Sequence, residues 1–313
     1  MKDSICIEKS ILQQYLDIIG YSSKPDFLDK YLNTPSLLRL KNVGYFCGMD
    51  YASKEIYSFD EYISRYDHSL TVALLTWNYT KNIRATIAGL FHDIATPCFS
   101  HVIDYMNKDY ENQESTEEYT ENILMKDKYL QECLKQDNIL VEDISNFKKY
   151  SIVDNNRPKL CADRLDGVIL TGLFWTKTIT IKDVEKIIND TQVFKDEDEN
   201  QEIGFCSKEV AELVLKTSET IDVFCHSNED NYMMELLANI TKRAIENKYI
   251  SYNDLYELNE KELIEILENC NNKEINNNLM IFKNIEKENI PEMNLTNIKV
   301  RNLNPLVNGK RLK

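Results

Sequence analysis

The sequence is short of the residues that break or staple a chain. It has 8 Gly and 6 Pro in 313 residues, too few for a collagenous or low-complexity chain and unlike the breaker-rich composition of disordered segments. None of its eight cysteines (6, 47, 98, 133, 161, 206, 225 and 270) forms a Cys-x-x-Cys pair, which removes zinc ribbons and thioredoxin-like redox motifs. Scattered in this way they read as reduced, mostly buried thiols. Long apolar runs are also missing. The longest, Asp166 to Trp175, is about ten residues, against the ~20 needed to cross a bilayer. The opening Met1-Lys2-Asp3-Ser4-Ile5-Cys6 lacks the apolar core of a signal peptide, so the sequence reads as that of a cytoplasmic protein. Basic residues are outnumbered 37 to 52, a net charge of −15. Phosphates would be repelled at long range, which argues against bulk nucleic-acid or anionic-membrane binding. A small phosphorylated ligand would need a local basic pocket, and Arg65, Arg84, Arg157 and Arg164 fall near the residues singled out below.

What is present is an ordinary folded composition, 42% hydrophobic and 28% charged, in a chain long enough to bury a sizeable core. Helical spacing dominates. Short helices are expected between residues 8 and 40, and a loop or short hairpin at 43–57. A long helix follows from Asp60, which would be its N-cap, to Lys81-Asn82. An apolar helix runs from Ile83 to about Asp93, and after Pro97 a helix resumes over Phe99–Met106. Acidic amphipathic helices are expected at 114–125 and 127–136, and a buried one from about Pro158 to Leu173. The acidic run 196–200 reads as a solvated turn and a module boundary. Beyond it, helices are expected at 207–219, 229–247, 259–269 and 272–283, with a terminal β-hairpin around the Asn308-Gly309 turn. The fold class is mainly α, with residues 1–190 a helical catalytic unit and 191–313 a mostly helical accessory region whose helices could serve a homo-oligomer.

Chemistry concentrates around the histidines. The chain has four, and three lie between positions 68 and 101. His92-Asp93 ends the apolar segment Ile87-Ala88-Gly89-Leu90-Phe91, where an ionisable pair is costly unless something compensates it. A metal ion would do so, with His and Asp as mixed nitrogen and oxygen ligands. His68, in Arg65-Tyr66-Asp67-His68-Ser69-Leu70, and Asp163, in Ala162-Asp163-Arg164-Leu165-Asp166, complete a set carried on three helices. A lone His on an apolar helix is ordinarily a hydrogen-bonded core residue, and Asp-Arg-x-x-Asp is ordinarily a salt-bridge pattern. The order His, His-Asp, Asp, each in an apolar helix, is what sets these apart.

That order resembles the HD superfamily of metal-dependent phosphohydrolases. The segments Arg65-x-x-His68-Ser69-Leu70 and Ala88-Gly89-Leu90-x-His92-Asp93-Ile94 through Phe99-Ser100-His101, with Asp104 three residues on, are similar to its deoxynucleoside triphosphate triphosphohydrolase branch. The likeness covers roughly residues 60–175. It implies an HD-type helical bundle, and a divalent metal ion (Mn, Fe, Co, Ni, Zn or Mg) held by His68, His92, Asp93 and Asp163. It also implies Arg65 and Arg164 on substrate phosphates, and Asp104 as an acidic residue in catalysis. His101 would contact substrate or steady the metal loop. Two positions depart from the branch. Thr96 and Gln113 stand where it has histidines, and neither can act as a general acid at neutral pH.

The expected function is hydrolysis of a phosphate ester or anhydride in a small molecule such as a nucleotide, by water activated on the metal. Asp104, Glu114 or Asp166 would move protons, while Arg65 and Arg164, helped by Arg157 and Lys159 and with Gln113 as a polar contact, would bind the substrate. Thr96 and Gln113 motivate an alternative, a metal- and nucleotide-binding regulator without turnover. A structural or interaction protein is the third reading.

Overall fold

The computed structural model describes residues 9–113, 115, 119–295 and 297–313. The fold is mainly helical, with one small sheet. Its centre is three helices, Arg65–Thr80, Ile83–Phe91 and Ala162–Phe174. The first packs against both of the others. Ile83–Phe91 is buried from Ala85 onward, as expected for a helix apolar on every face. The glycine at position 89 helps the first two helices approach, since a Cβ there would lie 3.1 Å from Thr76 Oγ1.

Several boundaries differ from the sequence reading, each for a local reason. The first central helix starts at Arg65 rather than after Asp60. Ser64 caps it, with its Oγ accepting from the Asp67 N–H while the Asp67 carboxylate accepts from the Ser64 N–H. This reciprocal box satisfies two otherwise orphaned donors. The 43–57 segment is loop, with a 3₁₀ turn at Met49–Tyr51 and a single bridge from Gly44 to Ser64. The helix expected from Phe99 spans Val102–Met106, because Phe99 and Ser100 take positive φ of 65° and 48°. The helix expected from Pro158 begins at Ala162. There the Ala162 and Asp163 amides donate to the carbonyls of Ile152 and Val153 instead of to a preceding turn. Thr120–Lys126 and Lys128–Gln136 form the acidic pair, and residues 114 and 116–118 lie outside the described residues.

The helices expected after residue 206 are present as Lys208–Cys225, Asn228–Glu246, Glu260–Asn269 and Lys273–Asn284. A helix the sequence reading passed over, Ile181–Asp190, is capped by a Thr180/Asp183 box. Strands β1 (Thr191–Lys195) and β2 (Gln201–Phe205) were also passed over; they flank the acidic run as an antiparallel hairpin. Only Glu197 to Asn200 of that run are exposed. Asp196 is buried and accepts from the Asp198 and Asn200 amides and from Lys159. The expected terminal hairpin is β3 (Leu306–Val307) and β4 (Lys310–Arg311). β3 pairs in parallel with β2, giving one four-stranded sheet in the order β1-β2-β3-β4. Arg311 locks this arrangement with two bonds to each of Glu197 and the fully buried Glu202. Among the described residues no helix is long and apolar enough to cross a membrane.

Candidate metal centre

The helix ends converge on a cavity of about 920 Å³. His68 projects one turn after the Ser64 cap, His92 sits at the C-terminal end of Ile83–Phe91, and Asp163 lies in the first turn of Ala162–Phe174. Ligand atoms of these three residues lie within 4.8 Å of one another. His68 Nε2 is 3.1 Å from Asp163 Oδ1, and His92 Nε2 is 3.6 Å from the same oxygen. Asp93 is the fourth residue brought to this point, with Oδ1 3.7 Å from His92 Nε2 and Oδ2 3.8 Å from His68 Nε2.

The hydrogen bonds fix which nitrogen of each imidazole faces the cluster. His92 Nδ1 donates to the Gly89 carbonyl at 2.7 Å. This leaves the Nε2 lone pair buried, aimed at Asp93 and Asp163, and without a hydrogen-bond partner. A neutral acceptor orphaned in this way is costly and suits a cation. His68 is clasped on both sides, by Asp163 at Nε2 and by Asp166 Oδ2 at Nδ1, 2.6 Å away. Asp166 is fully buried, and its other oxygen accepts from the Tyr15 hydroxyl at 2.6 Å. It was expected to move protons. Its position behind His68, with both oxygens engaged, is instead that of a group that orients the ring and raises its basicity, as carboxylates do behind metal-ligating histidines.

The charges respond accordingly. Burial alone would depress His68, but its bonds to Asp163 and Asp166 outweigh it and bring the ring up to about 10. Burial would likewise raise Asp93, yet His92, Arg65 and His68 hold it down at about 2. The donor set of two imidazoles and two carboxylates fits a divalent ion of the Mn, Fe, Co, Ni or Zn kind. Asp154, Cys161 and Asp163 form a second grouping. Burial pushes the Cys161 thiol up to about 12, and its Sγ is bonded to Asp154, so a thiolate is not on offer there.

The remaining expected residues sort by what they touch. Arg65 is buried, with NH1 on Asp93 Oδ2 at 2.9 Å, Nε on Ser100 Oγ at 3.2 Å and its plane over the Tyr45 ring at 5.0 Å. Arg164 lines the cavity, but its guanidinium is spent on the adjoining loop: on the Lys159 carbonyl, on both oxygens of Asn155 and on Asp154. Lys159 is paired with Asp196 and Asp198. Arg157 lines the cavity and donates to the Asn302 carbonyl at 3.2 Å. Asp104 is buried and fully engaged, Oδ2 with His101 Nδ1 at 2.9 Å and Oδ1 with the Ser115 amide and hydroxyl. Both line the cavity, but with the Asp104 oxygens engaged it is His101 that keeps a ring nitrogen uncommitted there. Gln113 is buried and accepts from Arg301 NH2. Glu114 lies outside the described residues.

Two contributors were not found from the sequence. Arg39 donates to the carbonyls of Ile94 and Thr96 and so braces the loop that follows His92-Asp93. Arg301 reaches the cavity from a distant tail segment. No motif marks either, and only their being Arg in an acidic chain would have drawn attention.

Comparison with known proteins agrees with this geometry. Residues 65–165 match the HD domain. The chain is 29% identical over 68% of its length to the uncharacterized protein YdhJ of Bacillus subtilis, covering 63% of that protein. It is 24% identical over 74% of its length to the metal-dependent phosphohydrolase cns2 of Cordyceps militaris, covering 66% of it. The chain thus aligns with just under two thirds of either relative. A helical core, a cluster of His and Asp at its helix ends and the match of residues 65–165 to the HD domain agree on a centre whose cofactor is a divalent metal ion.

Proposed function

We propose that this protein hydrolyses a phosphate ester or anhydride of a small molecule, a nucleotide being the best fit, with His68, His92, Asp93 and Asp163 holding the metal. The observation that carries this reading is the buried, unpartnered His92 Nε2, aimed with His68 and Asp163 at one point on the wall of a cavity that also presents arginines. When bound, a divalent ion supplies a Lewis acid for a phosphoryl oxygen and makes water a competent nucleophile near neutral pH.

The chain's own residues account for the rest. His101 replaces the histidines absent at Thr96 and Gln113. Asp104 fixes its Nδ1, leaving Nε2 for proton transfer, and burial together with the neighbouring Arg65 and Lys299 holds the ring below the usual imidazole range despite Asp104. Its Nε2 is thereby placed to take a proton from water and pass it to a leaving oxygen. Arg65, held by Asp93 and Ser100, sets positive charge beside the cluster, where negative charge develops on the phosphoryl oxygens. The Tyr45, Phe46, Phe59 and Trp175 rings line the cavity and offer stacking surface for a base. The seven described cysteines are free, which fits the reducing cytoplasm.

The test is metal content together with phosphate release from a panel of nucleotides and other phosphorylated small molecules, with Mn, Co, Ni and Mg. His92→Ala and Asp163→Ala should lose both metal and turnover. His101→Gln should keep the metal and lose roughly 10²–10⁴ in rate. Wild-type activity in His92→Ala would end the proposal. Thr96 and Gln113 favour a second reading, a regulator that binds nucleotide without turnover. It requires ligand-induced thermal stabilisation with no product by mass spectrometry.

A further inference from the structure

Residues 299–304 fall outside the matched HD segment, yet they form a strap along the cavity. The Lys299 amide donates to the Tyr110 carbonyl at 2.9 Å, the Arg301 amide to Asp222 Oδ1 at 2.7 Å and the Asn304 amide to the Pro158 carbonyl at 2.9 Å. Three separate parts of the chain therefore fix the strap's course, and with it the side chain of Arg301.

That side chain stands out by its partners. Its guanidinium lines the cavity and donates to two neutral oxygens, the Lys299 carbonyl at 3.1 Å and Gln113 Oε1 at 3.2 Å. Arg157 lies beside it, donating to the carbonyl of Asn302, the next residue along the strap. Among the described residues neither guanidinium forms an ion pair, whereas Arg65, Arg164, Lys159 and Arg311 each have a carboxylate partner. Asp222 and Asp230 favour the Arg301 charge only through the field, and burial with repulsion from Arg164 and Arg301 works against that of Arg157. Two half-buried cations, each held only by neutral acceptors, keep N–H donors and positive charge available on the cavity wall, an arrangement suited to an anion. The opening for that anion is the cavity.

We propose that Arg157 and Arg301 form an anion subsite that takes a second phosphoryl group of the ligand whose first phosphoryl group lies at His68, His92 and Asp163. The strap thereby makes the tail segment part of the binding site. Gln113 serves as a neutral prop that orients the Arg301 fork without consuming its charge. This inference rests on the cavity being the site of a phosphorylated ligand, and not on turnover.

The test is calorimetric titration of the full chain, as purified with its metal, with inorganic pyrophosphate. Arg157→Met and Arg301→Met should each weaken binding by about tenfold or more, the scale of a lost charge-assisted hydrogen-bonded pair. Metal content and the unliganded Tm should stay at wild-type values, and Arg301→Lys should recover part of the affinity. Failure of wild type to bind pyrophosphate, or unchanged affinity in either Met variant, overturns the proposal. Should Arg301→Met fail to fold, Arg157→Met decides alone: weakened binding supports the subsite and unchanged binding overturns it. A protein inactive on every substrate that still shows this dependence would lose the hydrolase reading and keep the subsite.

Discussion

Asp166→Asn isolates the part played by a residue that never meets substrate. In the wild type the carboxylate accepts two short bonds, from His68 Nδ1 and from the Tyr15 hydroxyl, both 2.6 Å. An asparagine has one carbonyl oxygen for these two donors. If that oxygen faces His68, the amide group faces Tyr15, whose hydroxyl can turn and accept. In the opposite orientation the amide confronts Nδ1, which drives the ring proton to Nε2 and removes the metal's lone pair. The first arrangement therefore wins, and what is lost is the charge that makes His68 basic. Partners behind metal-bound histidines are worth roughly 10–100-fold in affinity, and with the tautomer preserved the lower end applies, about 1.4 kcal/mol.

Proton competition shapes the outcome. Asp166 also helps to raise the metal-free His68 to about 10, so wild type pays more than the variant to release that proton at low pH. The affinity gap should accordingly be smaller at pH 6 than at pH 9, and reach its full size only above the His68 value of about 10. Chelator-competition titration at both values measures it, with Tm as the check on folding. A gap that does not grow from pH 6 to pH 9 would refute the orienting role.

Two further perturbations address stability. Glu260 is fully buried, accepts from the Phe99 amide at Oε1 and leaves Oε2 without a partner; burial pushes its carboxyl up to about 8. The folded state therefore holds the proton that the unfolded state releases above about 4.5, so stability should fall as pH rises from about 5 to 8, by on the order of 5 kcal/mol in full. Glu260→Gln should flatten that slope and be the more stable protein at pH 8 in urea titrations; parallel slopes would contradict the assignment. Arg311→Ala leaves the fully buried Glu202 without its bidentate partner and should cost about 3–5 kcal/mol by denaturant unfolding, whereas a loss under 1 kcal/mol would mean Glu202 finds another donor.

The residues proposed to hold the metal could be singled out in the sequence because ligand chemistry restricts them to His and Asp, and because each lies in an apolar helical segment. Roles one step back were not. Asp166 and Asp104 carry the same side chain as Asp163, and only the bonds to His68 and His101 show that they act through a neighbour. The central helices were legible from periodicity, while their starts were set by Ser64 and by the Ile152 and Val153 carbonyls, which no period encodes. The terminal hairpin was legible from its Asn-Gly turn, but β1, β2 and the sheet they complete were not, because β3 has two residues and joins β2 about a hundred positions earlier. Arg301 escaped for the same reason of distance.

The anchoring of the loop between Pro97 and Ser100 bears on how this protein can be cut and how it can vary. The Cys98 amide donates to the Leu255 carbonyl, the Cys98 thiol to the Leu258 carbonyl and the Phe99 amide to Glu260. An excised fragment limited to residues 65–165 would lack all three acceptors, leaving the backbone between His92 and His101 to find water instead. A substitution near position 258 can then shift the segment that joins His92-Asp93 to His101 without approaching the cavity, so residues 255–260 act as a remote dial on that loop.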